Sequence, residues 1–298
     1  MSGRINDLSV NAFNEQDAND SLTSIELIND GDLILRDLAY MGLKVLQSIE
    51  NRKAFYLCRP NPIVHIFEQQ PDGDYQELNF VEIKCYMKSH GIKCLEKQVY
   101  LGCKEKFETR LVVYLLPEQE VAKRIRKGEQ NNKKKGRKPL SKEYKARAAL
   151  NLFVTNASSV QIPMENAWSF YRLRWQIELI FKIFKSICSI EKVKKVKKHR
   201  LECYIYSKLV LIVLGWQILW PTARKLFLNE GKALSFFKAS KTLLSRKLDE
   251  LREIVMLRKG TLETFMKKFY SLSRLNHLLE KRGKEPTSVE LLLSCLNV

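Results

Sequence analysis

Between Leu33 and Cys58 the chain encodes a strand, a helix and a second strand within about 25 residues, and this spacing restricts the fold more than any other feature. Leu33 to Asp37 (LILRD) reads as a short buried strand that ends in a carboxylate. Met41 to Arg52 has helical spacing, with Leu43, Val45, Leu46 and Ile49 at the apolar positions. Ala54 to Cys58 (AFYLC) reads as the second strand. Two strands joined by one helix form an α/β unit, so the expectation is a sheet with flanking helices.

The rest of the chain divides by composition. The first thirty residues are polar and rich in Asn and Asp. A β-rich stretch follows the opening unit. Ile63 to Phe67 alternates, Pro71 to Asp74 is a turn, and Val99 to Leu101 and Leu111 to Leu116 are further strands. From Lys123 to Arg147 basic residues crowd together as KRIRK, KKKGRK and KEYKAR, which predicts a helix, an exposed linker around Gly136 and Pro139, and a second helix. Asn151 to Thr155 (NLFVT) returns to strand character, and Trp168 to Ile187 is a clear amphipathic helix. A second basic run occupies Lys192 to Arg200, and the remainder is helical, with candidates near 201–228, 234–257 and 261–281. The domains expected are a polar segment at 1–30, an α/β domain at 31–190 with a β-rich insertion at about 60–148, and a helical region at 191–298.

Charge bounds the partners. Lys and Arg total 52 against 33 Asp and Glu, a net charge of +19, which directs the chain toward polyanions. The apolar stretch Ile205 to Trp220 contains Lys208 and Gln217 and reads as a core helix rather than a membrane span. The N-terminus lacks the basic flank and apolar run of a signal peptide, so a cytoplasmic protein without a membrane partner is expected. Seven cysteines without CxxC pairs fit reduced thiols rather than a zinc site.

Two places could carry chemistry. Asp37 closes a strand, and carboxylates at strand ends in α/β sheets often face the ligand crevice, although many are turn formers or helix caps. Tyr171, Arg174, Glu178 and Lys185 fall within an arc of about 60° on a continuous helix at 100° per residue. Leu173, Ile177, Ile180, Phe184 and Ile187 form a separate apolar face. By charge pattern alone the polar row is equally an ordinary solvated face.

The spacing identifies the row. Tyr, two residues, Arg, three residues, Glu, six residues, Lys resembles the signature of the insertion-sequence-4 family of DDE transposases. The surrounding FYRLRWQIELIFKIFKS, the GDLILRDLAYMGL around Asp37, RLVVYL before the basic segment and LFVTN before the long helix resemble the family too, in its order, over about residues 30–225.

The resemblance implies a ribonuclease-H-like fold in which two aspartates and one glutamate hold two divalent cations, Mg²⁺ or Mn²⁺. Asp37 matches the second aspartate and Glu178 the glutamate, both as metal ligands and catalytic residues, and the gap of about 140 residues between them matches an inserted β-rich subdomain. Tyr171, Arg174 and Lys185 match the rest of the signature as DNA contacts. Lys133, Lys134, Lys135, Arg137, Lys138, Lys194, Lys195, Lys197 and Lys198 add basic side chains suited to phosphates. Trp175 is placed either to stack on a displaced base or to pack in the core. The departure lies upstream. Only 36 residues precede Asp37, and Asp7, Asp17, Asp20 and Asp30 sit in polar stretches that offer no strand for the family's first aspartate. The expectation is a transposase lacking its first strands and inactive by itself, acting on element ends and target DNA as a homodimer or beside a full-length transposase. The alternative is a DNA-binding remnant that regulates such an enzyme.

Overall fold

The structure is a computed structural model that describes residues 24–37, 42–192, 196–257 and 260–280. The chain divides into two compact units, Asn11–Arg172 and Met1–Val10 with Leu173–Val298. Asp7, Asp17, Asp20, Lys194 and Lys195 lie outside the described residues.

Among the described residues the first unit is built on one mixed sheet of seven strands in the order β1-β2-β7-β6-β5-β3-β4. Strands β1 (Leu33–Arg36) and β2 (Phe55–Cys58) are parallel because helix α1 (Leu43–Asn51) crosses between them. Every other pairing is antiparallel: β3 (Ile66–Gln69), β4 (Tyr75–Glu77), β5 (Cys94–Leu101), β6 (Phe107–Leu115) and β7 (Leu150–Thr155). Helices α2 (Phe80–Ser89), α3 (Glu118–Lys134), α4 (Lys142–Ala148) and α5 (Met164–Arg172) complete this unit. A mixed sheet with flanking helices, followed by a helical C-terminal region, is the ribonuclease-H-like architecture expected.

Side chains alternate faces along a strand, and here both faces are covered. Tyr56, Cys58, Leu111, Val113, Leu152 and Val154 join α1 and α2 in one core, with Val45, Leu46, Ile49, Phe80, Ile83 and Met87. Leu57, Val112, Tyr114 and Phe153 point the other way and meet Ala167 and Tyr171 of α5. All six residues of β7 are buried, which fits its near-continuous apolar run. The Tyr114 hydroxyl fastens α5 to the sheet, donating to the Met164 carbonyl and accepting from the Trp168 N–H at 3.0 Å.

Four sequence expectations change. β1 is half-buried rather than buried, because it pairs only with β2 among the described residues. The β-rich stretch also contains α2, whose cap is local: the Asn79 side chain accepts from the Val81 and Glu82 N–H groups and donates to Glu82 at 2.7 Å. The amphipathic helix at 168–187 is two helices, α5 and α6 (Trp175–Ser186), interrupted at Leu173 and Arg174 where the chain passes from one unit to the other. No glycine or proline marks that interruption. On α6, among the described residues, Ile183 and Phe184 are buried, whereas Ile177 is exposed.

In the second unit α6 is followed by α7 (Lys198–Glu230), α8 (Phe236–Arg246), α9 (Leu248–Val255) and α10 (Leu262–Asn276). At 33 residues α7 is twice as long as the apolar stretch read from sequence, and by length and composition it could cross a membrane, a test that core helices also pass. Its Leu209 and Ile212 pack with Phe184, and its Ile218, Leu219 and Leu226 pack with Leu243, Phe265 and Phe269.

His277 locks this bundle. It is 4% exposed, with Nε2 2.8 Å from the Thr242 hydroxyl and Nδ1 3.1 Å from the Ser273 hydroxyl. Burial, then the nearby Lys238 charge, lowers its pKa from the ordinary histidine value. The folded state therefore favours neutral imidazole. The associated stability is complete above the unfolded pKa, near 6.5, and is lost as pH falls through it toward the lower folded value. The melting temperature of the chain is expected to fall between pH 7.5 and pH 5, and His277→Gln to flatten part of that fall. Parallel melting curves for the two proteins across this range would exclude the histidine as a source.

Candidate functional site

The two candidate carboxylates belong to different units, and each has its own surroundings. Asp37 is the first residue past β1 and is exposed. The parallel register sets Arg36 against Cys58. Arg36 donates to the Ser24 hydroxyl at 2.8 Å, which ties the end of β1 to the 3₁₀ turn Ser24–Leu27. The Cys58 thiol is fully buried, and burial pushes its pKa up to about 12, opposed in part by the Arg36 charge. A thiol held neutral in this way is a packing residue, not a metal ligand or nucleophile.

Glu178 lies in the first turn of α6, where the helix dipole favours a carboxylate. Arg174, at the start of that helix, donates from Nη2 to Glu178 Oε1 at 2.9 Å. The guanidinium side chain is 14% exposed and the carboxylate 41%, so Arg174 orients a carboxylate that still reaches solvent. Lys185 is exposed in the last turn of the same helix. The four signature residues do not share one helix. Tyr171 ends up on α5, and its ring is buried 5.0 Å from that of Phe153. Trp175 is 58% exposed and Lys182 sits 4.8 Å from the Phe237 ring, so α6 presents aromatic and basic groups together.

The first basic segment is a shaped projection. Helices α3 and α4 meet where Gly128 is buried; a Cβ there would lie 2.8 Å from the Tyr144 hydroxyl oxygen. The turn beyond α3 is fixed by Asn132, whose side chain donates to the Lys138 carbonyl at 2.7 Å and whose carbonyl accepts the Arg137 N–H at 2.9 Å. Gly136 takes the left-handed conformation this turn needs, with φ +60°. Lys133, Lys134, Lys135, Arg137 and Lys138 are all exposed, and among the described residues none has an ion-pair partner. Of the second run, Lys197 and Lys198 are exposed at the start of α7.

Among the described residues no three His, Cys, Asp or Glu side chains group closely enough to hold a metal ion, and all the cysteines there are free thiols.

The chain is similar in sequence to known transposases. Over 278 residues the chain is 29% identical to the transposase for insertion sequence element IS231F of Bacillus thuringiensis subsp. israelensis, covering 88% of this chain and 55% of that protein. The transposase for element IS231B of Bacillus thuringiensis subsp. berliner is 30% identical over 227 residues, 72% of this chain and 47% of its own length. The transposase for element IS1151 of Clostridium perfringens is 29% identical over 224 residues, again 72% of this chain and 47% of its own. The chain thus spans about half the length of the curated relatives it matches. No solved structure matches it. The family described as "Transposase DDE domain" matches residues 1–214, which cover the mixed sheet, Asp37, the Tyr171–Lys185 row and the first half of α7, and the chain belongs to that family.

Proposed function

We propose that the chain supplies catalytic-domain machinery of a DNA transposase, an enzyme that cuts the phosphodiester bonds at the ends of a mobile element and joins them to target DNA. The observation that carries this reading is the Arg174–Glu178 pair at the head of α6, in the family's spacing, with Lys185 exposed two turns further on. Asp37, at the carboxyl end of a strand in an α/β unit, is the second carboxylate.

The donor chemistry of these two residues fits Mg²⁺ or Mn²⁺, hard cations that take carboxylate oxygens. Bound there, such ions supply an activated water or 3′-hydroxyl and stabilise the leaving oxygen. Arg174 fixes the rotamer of Glu178. Lys185 and the exposed lysines of α3 and α7 carry the charge that draws the phosphate backbone in. Among the described residues no three His, Cys, Asp or Glu side chains group to hold a metal ion, and the second reading is that this chain binds DNA without cutting it and regulates an intact enzyme.

DNA is the partner common to both readings, and binding tests it directly. Fluorescence anisotropy with a duplex carrying the element's ends is expected to show binding whose log K falls linearly with log salt. Absence of binding, or affinity indifferent to salt, would remove DNA as the partner.

A further inference from the structure

The sheet end that bears Asp37 also gathers arginines that the signature does not include. In the parallel register Arg36 faces Cys58, so the next residues, Asp37 and Arg59, emerge at the same end of β1 and β2. β7 runs antiparallel to β2, with Val154 opposite Cys58, so Leu150 and Asn151 begin at that end. β6 finishes there too, with Leu115 opposite Leu150, and passes into α3. Arg124, on the second turn of α3, is pinned over the start of β7. Its Nη2 donates to Asn151 Oδ1 at 2.6 Å and its Nη1 to the Leu150 carbonyl at 3.3 Å.

Arg59 is half-buried and, among the described residues, has neither a hydrogen-bond partner nor an ion-pair partner. Burial first, and the Arg59 charge second, hold the Arg124 pKa below the ordinary arginine value. Glu120 acts in the opposite direction, but its Oε1 is engaged by Lys123 at 2.6 Å. Two guanidinium groups brought to one sheet end in a partly buried place repel, and an anion set against both would offset that repulsion.

We propose that Arg59 and Arg124 form a phosphate-binding pair beside Asp37 that seats a backbone phosphate of DNA at the carboxyl ends of β1 and β2. Guanidinium forks match phosphate oxygens, and the hydrogen bonds to β7 hold one fork ready before DNA arrives. The pair rests on the DNA-binding reading above and deepens it: both are positioning residues that would place a strand against the candidate catalytic carboxylate.

The test measures duplex affinity by anisotropy across a salt series for the wild-type chain, Arg59→Ala, Arg59→Lys and Lys84→Ala, which removes a charge from α2. Arg59→Ala is expected to lose about tenfold in affinity and to flatten the log–log salt slope by about one, at an unchanged melting temperature. Arg59→Lys should keep the slope and recover only part of the affinity, because lysine gives a point charge without the fork. Lys84→Ala should leave both values where they are. Wild-type affinity and slope in Arg59→Ala would overturn the pair while leaving DNA binding intact; so would equal losses in Lys84→Ala. Should Arg59→Ala fail to fold, Arg59→Lys decides, and undiminished affinity there is fatal. Stabilisation by inorganic phosphate that vanishes in Arg59→Ala, with DNA binding untouched, would mean that the pair takes free phosphate instead. A wild-type chain that binds no DNA overturns the underlying reading and the pair together.

Discussion

Residues 1–298, supplied with Mg²⁺ or Mn²⁺ and DNA carrying the element's ends, are expected to bind that DNA and leave it unnicked. Two cations a few ångströms apart repel strongly and need an anion between them. In the proposed reading Asp37 and Glu178 supply two of the ligands, and among the described residues no three His, Cys, Asp or Glu side chains group closely enough to hold a metal ion. Asp30, the remaining described N-terminal aspartate considered from sequence, is exposed in a turn before β1. We therefore expect nicking only from a protein extended by a segment that brings a strand-borne aspartate to the two carboxylates. In that longer protein, Glu178→Gln and Asp37→Asn should each reduce cutting below detection while DNA binding persists. Metal-dependent nicking by the 298 residues unaided, measured on supercoiled plasmid bearing the ends, would show that the chain completes its own site. Cutting by the longer protein that survives Glu178→Gln would remove Glu178 from catalysis.

Replacing Lys133, Lys134, Lys135, Arg137 and Lys138 together with glutamine is the change expected to reduce DNA affinity most. If all five contact phosphates, the log–log salt slope should become shallower by about 4.5, and affinity at low salt should drop by roughly three orders of magnitude, equally for all sequences. The argument rests on shape as well as charge. These residues extend from a helical pair closed at Gly128, on a turn fixed by Asn132, and have no ion-pair partner among the described residues. A titration in which the fivefold variant keeps the wild-type slope would reduce the segment to a solvated linker.

What the sequence revealed of this molecule depended on how local each signal was. The strand, helix and strand between Leu33 and Cys58 were legible because each element has its own apolar period and a short connection. Helix α2 announces itself only through Asn79 and Glu82 at capping distance and through Phe80, Ile83 and Met87, a pattern submerged in β-rich surroundings. The division of the helix at Leu173 has no local cause, so helical periodicity ran straight through it and placed Tyr171 in a polar row. In the structure the Tyr171 ring is spent on Phe153. The Glu178 half of the candidate site was visible because its spacing lies within one helix. Arg59 and Arg124 were not, since 65 positions separate them and only the register of β2, β6 and β7 brings them to one sheet end.

The four residue pairs between β1 and β2 have a kinetic meaning. Among the described residues β1 is bonded along one side, and a strand so bonded opens at lower free energy than one bonded along both, so its amide protons exchange with solvent sooner than those of a central strand such as β7. Asp37 is attached to that looser rung. Any strand that zips onto β1 opposite β2 would slow the breathing of β1 and steady Asp37, the residue that follows it, in the same event.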